Sequence, residues 1–250
     1  MNPIIKHIES HHSIRKYTKK EIDKKILDQI LRAATYASTS GNMQAYSIIV
    51  TKSQKMKEKM FEAHFKQPML MEAPVFLTFC ADFNRMRTWI KLKKAANNFE
   101  NFMRFMIASI DATLASQNAA LAAESLGLAI CYMGTTLASA RKIGEILKLP
   151  KNVVPIVGFS LGYPDEKPDK RKRLPLKSII HHETYKNYNE QEITEAYEEK
   201  EIEGFERYIS SMGLKDKLDD LGIENLAQIY TQLKYTEESH IQYSLSLIHI

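Results

Sequence analysis

The feature that most constrains this chain is a long helical segment predicted over residues 95–126. Its apolar residues surround most of the helix circumference, whereas a surface helix carries a single apolar stripe. They are Phe102, Met103, Phe105, Met106, Ile107, Ile110, Leu114, Ala115, Ala119, Leu121 and Ala122. Such a helix lies either at the centre of a large core or in an interface between subunits. Gly127 is predicted to end it.

Shorter segments before and after this helix alternate between helical and strand patterns. Apolar and β-branched runs predict strands at residues 46–50, 73–81, 128–133 and 153–161. Helices are predicted at residues 22–34, behind a capping box formed by Thr18 and Glu21, at 54–62, and between Ser139 and Pro150. Two weakly apolar helical stretches follow residue 185, at 185–213 and 214–233. The pattern predicts an α+β core with a C-terminal helical arm.

Composition excludes several classes of protein. The formal net charge of +5 is spread along the chain, so no basic stripe for nucleic acid is expected. No apolar run is long enough to span a membrane, and the first residues lack the pattern of a secretory signal. Cys80 and Cys131 are predicted to be buried thiols, which fits a reducing, cytoplasmic location.

The first candidate binding cluster is His11-His12-Ser13-Ile14-Arg15, ahead of the first predicted core helix. The guanidinium of Arg15 is a rigid fork of donors that suits phosphate oxygens. The alternative is an ordinary polar arm. No metal site is expected here, because adjacent histidines of an extended segment point in opposite directions.

Two further clusters each follow a predicted strand. Arg171-Lys172-Arg173 comes after the last strand and a Gly-Tyr-Pro turn, a position where α/β proteins often bind ligands. The alternative is a solvated basic loop. Tyr132-Met133-Gly134-Thr135 ends the third strand, and Gly134 would allow a flat ligand to approach the backbone. The alternative is a core strand followed by a turn.

The sequence lacks the motifs of two common phosphate-binding loops and of hydrolase active sites. There is no Gly-x-Gly-x-x-Gly after a strand and no Gly-x-x-x-x-Gly-Lys, so these two phosphate-binding loops are excluded. No Ser/His/Asp or Cys/His set with any specificity is present. The chain is therefore not expected to be a hydrolase.

In their order along the chain, these clusters resemble the FMN-dependent nitroreductases, and most closely the nitroreductase A and flavin reductase subgroup. The resemblance covers residues 4–185. The matching motifs are His11-x-Ser13-Ile14-Arg15-x-Tyr17, Ser38-Thr39-Ser40-Gly41-Asn42-Met43-Gln44, Gln67, the segment from Glu124 to Gly134, Gly162-Tyr163-Pro164 and Arg173-Leu174-Pro175.

The resemblance implies an α+β fold in which helices flank a central, mostly antiparallel sheet, and an interlocked homodimer that binds FMN between its subunits. It implies that FMN is bound by His11, His12, Ser13, Arg15, Thr39, Ser40, Asn42, Gln67, Tyr132, Met133, Gly134, Thr135, Arg171 and Arg173. Arg15, Arg171 and Arg173 would hold the phosphate, and Gln67 the pyrimidine ring. Thr39, Ser40 and Asn42 would reach a flavin held mainly by the other subunit.

The implied activity is electron transfer from NADPH or NADH to a small nitroaromatic, quinone or flavin acceptor, with ping-pong kinetics. The chemistry would occur at N5 of FMN, so no catalytic side chain is assigned. The alternatives are a flavin reductase that supplies reduced FMN to a partner, and a flavin-binding redox module with little turnover.

Three departures from the family pattern concern the binding residues. His12 stands where the family often has Arg, Arg171 where it often has Lys, and Thr135 where a second Gly is common. His12 and Arg171 still supply donors or positive charge. Thr135 would tighten the pocket.

The C-terminal part of the chain departs as well. In the subgroup an arginine-bearing excursion recognises the NADPH 2′-phosphate, whereas here Glu198–Glu203 is acidic and Arg207 is the only arginine after Arg173. The sequence divides into a flavin-binding core at 1–185, a helical arm at 186–243, and residues 244–250, which resemble a translated sequencing adapter.

Overall fold

The computed structural model describes residues 1–248, and of Ile248 it describes the backbone alone. By contacts the chain forms two compact units. The first contains Met1–Asp169 together with the residues from Gln242 onward, and the second is Lys170–Ile241. The boundary predicted at residue 185 lies where the family motifs end, whereas the contacts divide the chain after Asp169. That residues 1–185 form the flavin-binding core stays a prediction.

The first unit contains four strands and most of the helices. The strands are β1 (Tyr46–Thr51), β2 (Val75–Asp82), β3 (Ala129–Tyr132) and β4 (Val153–Gly162). The helices are α1 (Pro3–Glu9), α2 (Lys24–Ala34), α3 (Gln54–Phe61), α4 (Met69–Glu72), α5 (Asn84–Leu92), α6 (Phe102–Ser125), α7 (Thr135–Ala138) and α8 (Ala140–Ile146). A 3₁₀ turn spans Ser40–Asn42.

The second unit is helical. It contains α9 (Glu190–Glu206), α10 (Lys215–Asp220) and α11 (Leu226–Gln228), with π-helical turns at Arg207–Ser211 and Ile229–Lys234. Its core consists of Tyr208, Leu218, Ile223, Leu226 and Ile229. The last helix, α12 (Glu237–Ile248), includes the first residues of the expected adapter-like tail. Residues 249–250 of that tail lie outside the described residues.

The strands form one antiparallel sheet in the order β1-β2-β4-β3. All eight residues of β2 are buried, because this central strand is covered on both faces. One face packs on α2 and α6, with Leu77 and Phe79 in that core. Phe76 belongs to the core on the other face, with Met60 of α3 and Ile143 of α8. The predicted sheet flanked by helices is confirmed.

The long helix is shorter than predicted. It begins after Asn101, whose side chain accepts a hydrogen bond from the backbone N–H of Arg104 at 3.0 Å. The buried face of α6 carries small residues: Ala108, Ala112, Ala115, Ala119 and Ala123. Because these side chains are short, the helix backbone can lie close to the sheet.

The capping box predicted at Thr18 and Glu21 is wrong. The backbone N–H of Thr18 donates to the carbonyl oxygen of Tyr163 at 3.0 Å, so this residue is held in an extended segment. Asp23 caps α2 instead, accepting from the backbone N–H of Lys25 at 2.7 Å. A complete capping box occurs at Asn189 and Glu192, where α9 begins.

Candidate functional site

The His11–Arg15 segment is anchored through Ile14 and Tyr17. The backbone N–H of Ile14 donates to the carbonyl oxygen of Ile130 in β3 at 3.0 Å, and the Ile14 side chain is buried. The Tyr17 hydroxyl donates to the carbonyl oxygen of Ile14 at 2.7 Å and lies 2.7 Å from Ser160 Oγ. Burial raises the pKa of Tyr17 far above its ordinary value, so the phenol stays protonated. With Ile14 and Tyr17 buried, Ser13 and Arg15 remain accessible.

The polar groups of this segment have defined partners. His11 Nδ1 lies 2.6 Å from Glu124 Oε1 near the end of α6, and His12 Nδ1 lies 2.9 Å from the carbonyl oxygen of Ser10. Glu166 Oε1 accepts from the backbone N–H groups of Arg15 at 2.5 Å and Lys16 at 3.2 Å. The segment therefore has a fixed backbone, and the Arg15 side chain is exposed.

The Thr39–Gln44 loop is shaped by a buried carboxylate. Asp111 of α6 is 1% exposed, and it accepts hydrogen bonds from the backbone N–H groups of Ser40 and Ala45, each at 3.1 Å. Gly41, Asn42 and Gln44 all have positive φ, between 51° and 54°. Left-handed backbone is unfavourable for residues with a side chain, so this loop needs external support. Asp111 provides that support and places Thr39, Ser40 and Asn42 next to α6.

Gln67 lies at the end of a second strained turn. Phe65 and Lys66 both have φ of 54°, and the backbone N–H of Gln67 donates to the carbonyl oxygen of His64 at 3.2 Å. His64 is fully buried, with its ring edge against Phe76 at 4.9 Å between centroids. Burial lowers the pKa of His64 to about 4, so the imidazole is neutral near pH 7.

Sequence reasoning missed His64. Its Nδ1 lies 2.8 Å from Oγ1 of Thr135, a predicted binding residue 71 positions further along the chain. No local pattern marks such a contact.

The Tyr132–Thr135 segment leaves the sheet beside an open space. The backbone N–H of Met133 donates to the carbonyl oxygen of Gly158 at 2.8 Å, and the Tyr132 hydroxyl lies 2.9 Å from Ser116 Oγ. Burial raises the pKa of Tyr132 to about 12. Gly134 has an ordinary helical φ of −58°, and no described atom beyond its neighbours in the chain lies within 4 Å of the position of a Cβ there. The space beside this glycine is compatible with the approach of a flat ligand, which stays a prediction.

The basic residues after β4 lie in the second unit, around a cavity of about 340 Å³. Arg171, Lys172 and Arg173 line it, and α9 contributes Lys200 and Glu203. Arg207 lines the same cavity and pairs with Glu203 at 3.5 Å. The cavity thus gathers cations around one carboxylate, which suits an anionic ligand.

The structure brings the predicted residues together in groups. In the first unit, the His11–Arg15 and Tyr132–Thr135 segments both contact β3 or continue it, and His64 connects the Gln67 turn to Thr135. Arg171 and Arg173 belong to the second unit, so their joint role with Arg15 stays a prediction. Within residues 1–248, no three His, Cys, Asp or Glu side chains are placed to hold a metal ion.

Comparison with known proteins gives a consistent result. The model of the nitroreductase family matches residues 8–163. An FMN reductase acting with NAD(P)H from Bacillus subtilis strain 168 is 36% identical over 195 residues, which is 76% of this chain and 77% of that protein. An oxygen-insensitive NADPH nitroreductase from Salmonella typhimurium is 33% identical over 190 residues, 76% of this chain and 78% of that protein.

Similarity extends to solved structures over nearly the whole chain. The structure of the NfrA1 nitroreductase from Bacillus subtilis aligns with a TM-score of 0.81 and 29% identity. The alignment covers 97% of this chain and 96% of that one. Among the described residues, no helix is long and apolar enough to cross a membrane.

Proposed function

Because this chain belongs to the nitroreductase family, we propose that it binds FMN and transfers electrons from NADPH or NADH to a small nitroaromatic, quinone or flavin acceptor. The observation that carries the proposal is the open backbone at Gly134, just after β3, together with the segment from His11 to Arg15 that is anchored on the same strand. The names of the relatives support both the flavin and the nicotinamide donor.

The residues present fit FMN. At Gly134, the space at the Cβ position is open, so a flat ring system would be able to approach the backbone. Arg15, Arg171 and Arg173 would hold the phosphate, with His11, His12 and Ser13 along the same edge. Gln67 would bind the pyrimidine ring, while Tyr132, Met133, Gly134 and Thr135 would lie behind the rings. Thr39, Ser40 and Asn42 would reach the flavin of the other subunit.

FMN, when bound, supplies the hydride chemistry, and the protein supplies orientation and electrostatics. The exposed guanidinium of Arg15 provides positive charge, and the buried Thr135 hydroxyl provides a potential donor. Tyr132 and Tyr17 stay protonated at neutral pH because burial raises their pKa, so neither carries negative charge that would oppose a reduced, anionic ligand. No side chain needs to act as a general acid, since water can protonate small acceptors.

A homodimer belongs to the proposal because α6 exposes its large apolar residues. Met103, Met106, Ile110 and Leu114 are between 39% and 64% exposed, whereas the alanines of the same helix are buried. They recur along one side of the helix, so they form a continuous apolar stripe. A second copy of the chain would cover this stripe and complete the flavin site with its Thr39–Asn42 loop.

A cytoplasmic location completes the proposal. Cys80 and Cys131 are buried, as predicted, and neither is part of a disulfide, which suits a reducing compartment.

The visible spectrum of the purified protein tests the central claim. We expect the absorption bands of oxidised flavin, bleached on addition of NADPH or NADH under anaerobic conditions. Initial rates at several acceptor concentrations should then give parallel double-reciprocal lines, because donor and acceptor occupy the same face in turn. A colourless protein that binds no added FMN would contradict the proposal, and intersecting lines would contradict the shared face.

A flavin reductase that supplies reduced FMN to a partner is the second candidate, supported by the FMN reductase among the relatives. The two functions differ in how tightly the flavin is held. Flavin retained through gel filtration favours the nitroreductase function, whereas flavin lost with high turnover of added FMN favours the reductase.

A further inference from the structure

His64 is a buried histidine to which the proposed function gives no role. It is 0% exposed, and its ring lies between Phe76 of β2 and Thr135 of α7. Since burial keeps the imidazole neutral, only one of its two nitrogens carries a proton. A neutral, fully buried imidazole of this kind can hold a neighbouring group in one orientation.

Two predicted flavin contacts meet at this residue. Its Nδ1 lies 2.8 Å from Thr135 Oγ1, and its carbonyl oxygen accepts the backbone N–H of Gln67. Between His64 and Gln67, Phe65 and Lys66 both adopt left-handed backbone, which is unfavourable without support. A single residue thus connects the strained Gln67 turn, through its backbone carbonyl, to Thr135, through its ring.

The second ring nitrogen favours one direction of the hydrogen bond. Nε2 is buried and finds no hydrogen-bond partner within residues 1–248. Either tautomer leaves the buried Nε2 without a partner, but an unpaired buried N–H is rarer in folded proteins than an unpaired acceptor, which favours the proton on Nδ1. With the proton on Nδ1, the N–H donates to Thr135 Oγ1, and the Thr135 hydroxyl keeps its own proton for another acceptor.

We propose that His64 is a positioning residue that donates from Nδ1 to Thr135 Oγ1 and thereby directs the Thr135 hydroxyl, as a donor, towards the bound flavin. The inference rests on the proposed function, because Thr135 matters only if FMN lies against it. It also gives the departure from the family pattern at position 135 a chemical role, since glycine there offers no side-chain donor. A donor aimed at the rings stabilises negative charge on the reduced flavin.

The test compares holoenzymes that differ in this pair. The variants His64→Leu and Thr135→Val remove the donor and the hydroxyl, respectively. His64→Asn keeps an N–H near the position of Nδ1, and Thr135→Ser keeps the hydroxyl. His182→Leu, at an exposed histidine in the second unit, is the matched control. FMN affinity is measured by fluorescence titration, and the flavin midpoint potential by dye-equilibrated reduction.

For His64→Leu and Thr135→Val, we expect a lower midpoint potential by about 30 mV, equivalent to a tenfold loss of preference for reduced over oxidised flavin. The double variant should shift no further than either single variant, because both changes remove one interaction. His64→Asn, Thr135→Ser and the control should keep the wild-type potential. If His64 had only a structural role, His64→Leu would change thermal stability but would not give this pattern of flavin midpoint potentials.

The outcomes separate the inference from the function on which it rests. Wild-type protein that binds no FMN overturns both. Wild-type protein that binds FMN, with an unchanged potential in Thr135→Val, overturns the inference alone. If His64→Leu does not fold, Thr135→Val and His64→Asn still test the inference. His64→Asn keeps an N–H near Nδ1, so its midpoint potential should stay at the wild-type value. A shift as large as that of Thr135→Val would contradict the donor role.

Discussion

The buried carboxylate of Asp111, in the middle of α6, accepts a hydrogen bond from the backbone N–H of Ala45 at 3.1 Å. Its other oxygen accepts the backbone N–H of Ser40. A single side chain thus fixes both ends of the left-handed loop that is predicted to reach a flavin. Two backbone donors lose their partner if the carboxylate is removed.

Asp111→Leu should destabilise the protein by about 3 kcal/mol, because two backbone N–H groups are left without an acceptor. FMN affinity should fall as well, since the Ser40 loop loses its support. Urea unfolding followed by fluorescence measures the first effect, and flavin titration the second. The control is Asp28→Asn, whose carboxylate pairs with Lys24 on the exposed surface of α2. This variant should change stability by less than about 1 kcal/mol. Equal effects of the two variants would contradict the role of Asp111.

His64 should make stability depend on pH in the acid range. Its pKa falls from 6.5 in the unfolded chain to about 4 in the folded protein, so the unfolded chain binds the proton more readily. The contribution is fully present above pH 6.5, is lost as the pH falls from 6.5 to 4, and changes no further below that. The total loss is roughly 3 kcal/mol.

Urea unfolding of wild type and His64→Asn between pH 7.5 and 4.5 measures this loss. The wild-type free energy of unfolding should decline more steeply than that of the variant, which lacks the titrating group. Parallel curves would show that His64 titrates alike in the folded and unfolded protein.

Ile110→Glu should prevent self-association, because it places a charge in the middle of the apolar stripe on α6. Light scattering coupled to gel filtration should give twice the chain mass for wild type and the chain mass for the variant. Ile202→Glu, at an exposed isoleucine of α9, is the control and should stay dimeric. A monomeric wild type would contradict the proposed dimer. Ile110→Glu should also lose flavin, since the proposed site needs residues from both subunits.

Arg207→Ala should raise the KM for NADPH about tenfold, a loss of roughly 1.4 kcal/mol, while the KM for NADH stays constant. The reason is that Arg207 lines the cationic cavity of the second unit, and only NADPH carries the additional phosphate. Lys215→Ala, at an exposed lysine of α10 outside the cavity lining, is the control. Unchanged NADPH kinetics in Arg207→Ala would exclude the arginine from donor recognition.

Much of the fold can be predicted from the local sequence pattern. The predictions fail where contacts between residues far apart in the chain determine the structure. The strand predicted at 46–50 matches β1, because its consecutive β-branched residues favour extended backbone. The capping box at Thr18 fails, since its backbone N–H is bound by Tyr163. Helix α1 was not predicted, as it buries no residue and therefore shows no core-facing periodicity.

In the candidate site, too, local features could be predicted from the sequence, whereas contacts between distant residues could not. Residues with recognisable chemistry, such as Arg15 and Arg173, could be proposed from the sequence. The groups that hold other predicted contacts in place could not be proposed: in the sequence, Asp111 is one acidic residue in an apolar helix, and His64 is an isolated histidine. Their roles depend on contacts with Ser40 and Thr135, each 71 positions away.

The hydrogen bond between Tyr17 and Ser160 joins residues 143 positions apart, and this distance affects synthesis on the ribosome. The N-terminal segment emerges first, but its partners in β4 follow only after translation of the intervening chain. At about 5–20 residues per second, this delay is roughly 7 to 30 s. During that interval the phosphate-binding segment expected at His11–Arg15 has no β4 to lie against. With the flavin-binding role proposed for this segment, we expect flavin capture to follow the synthesis of β4.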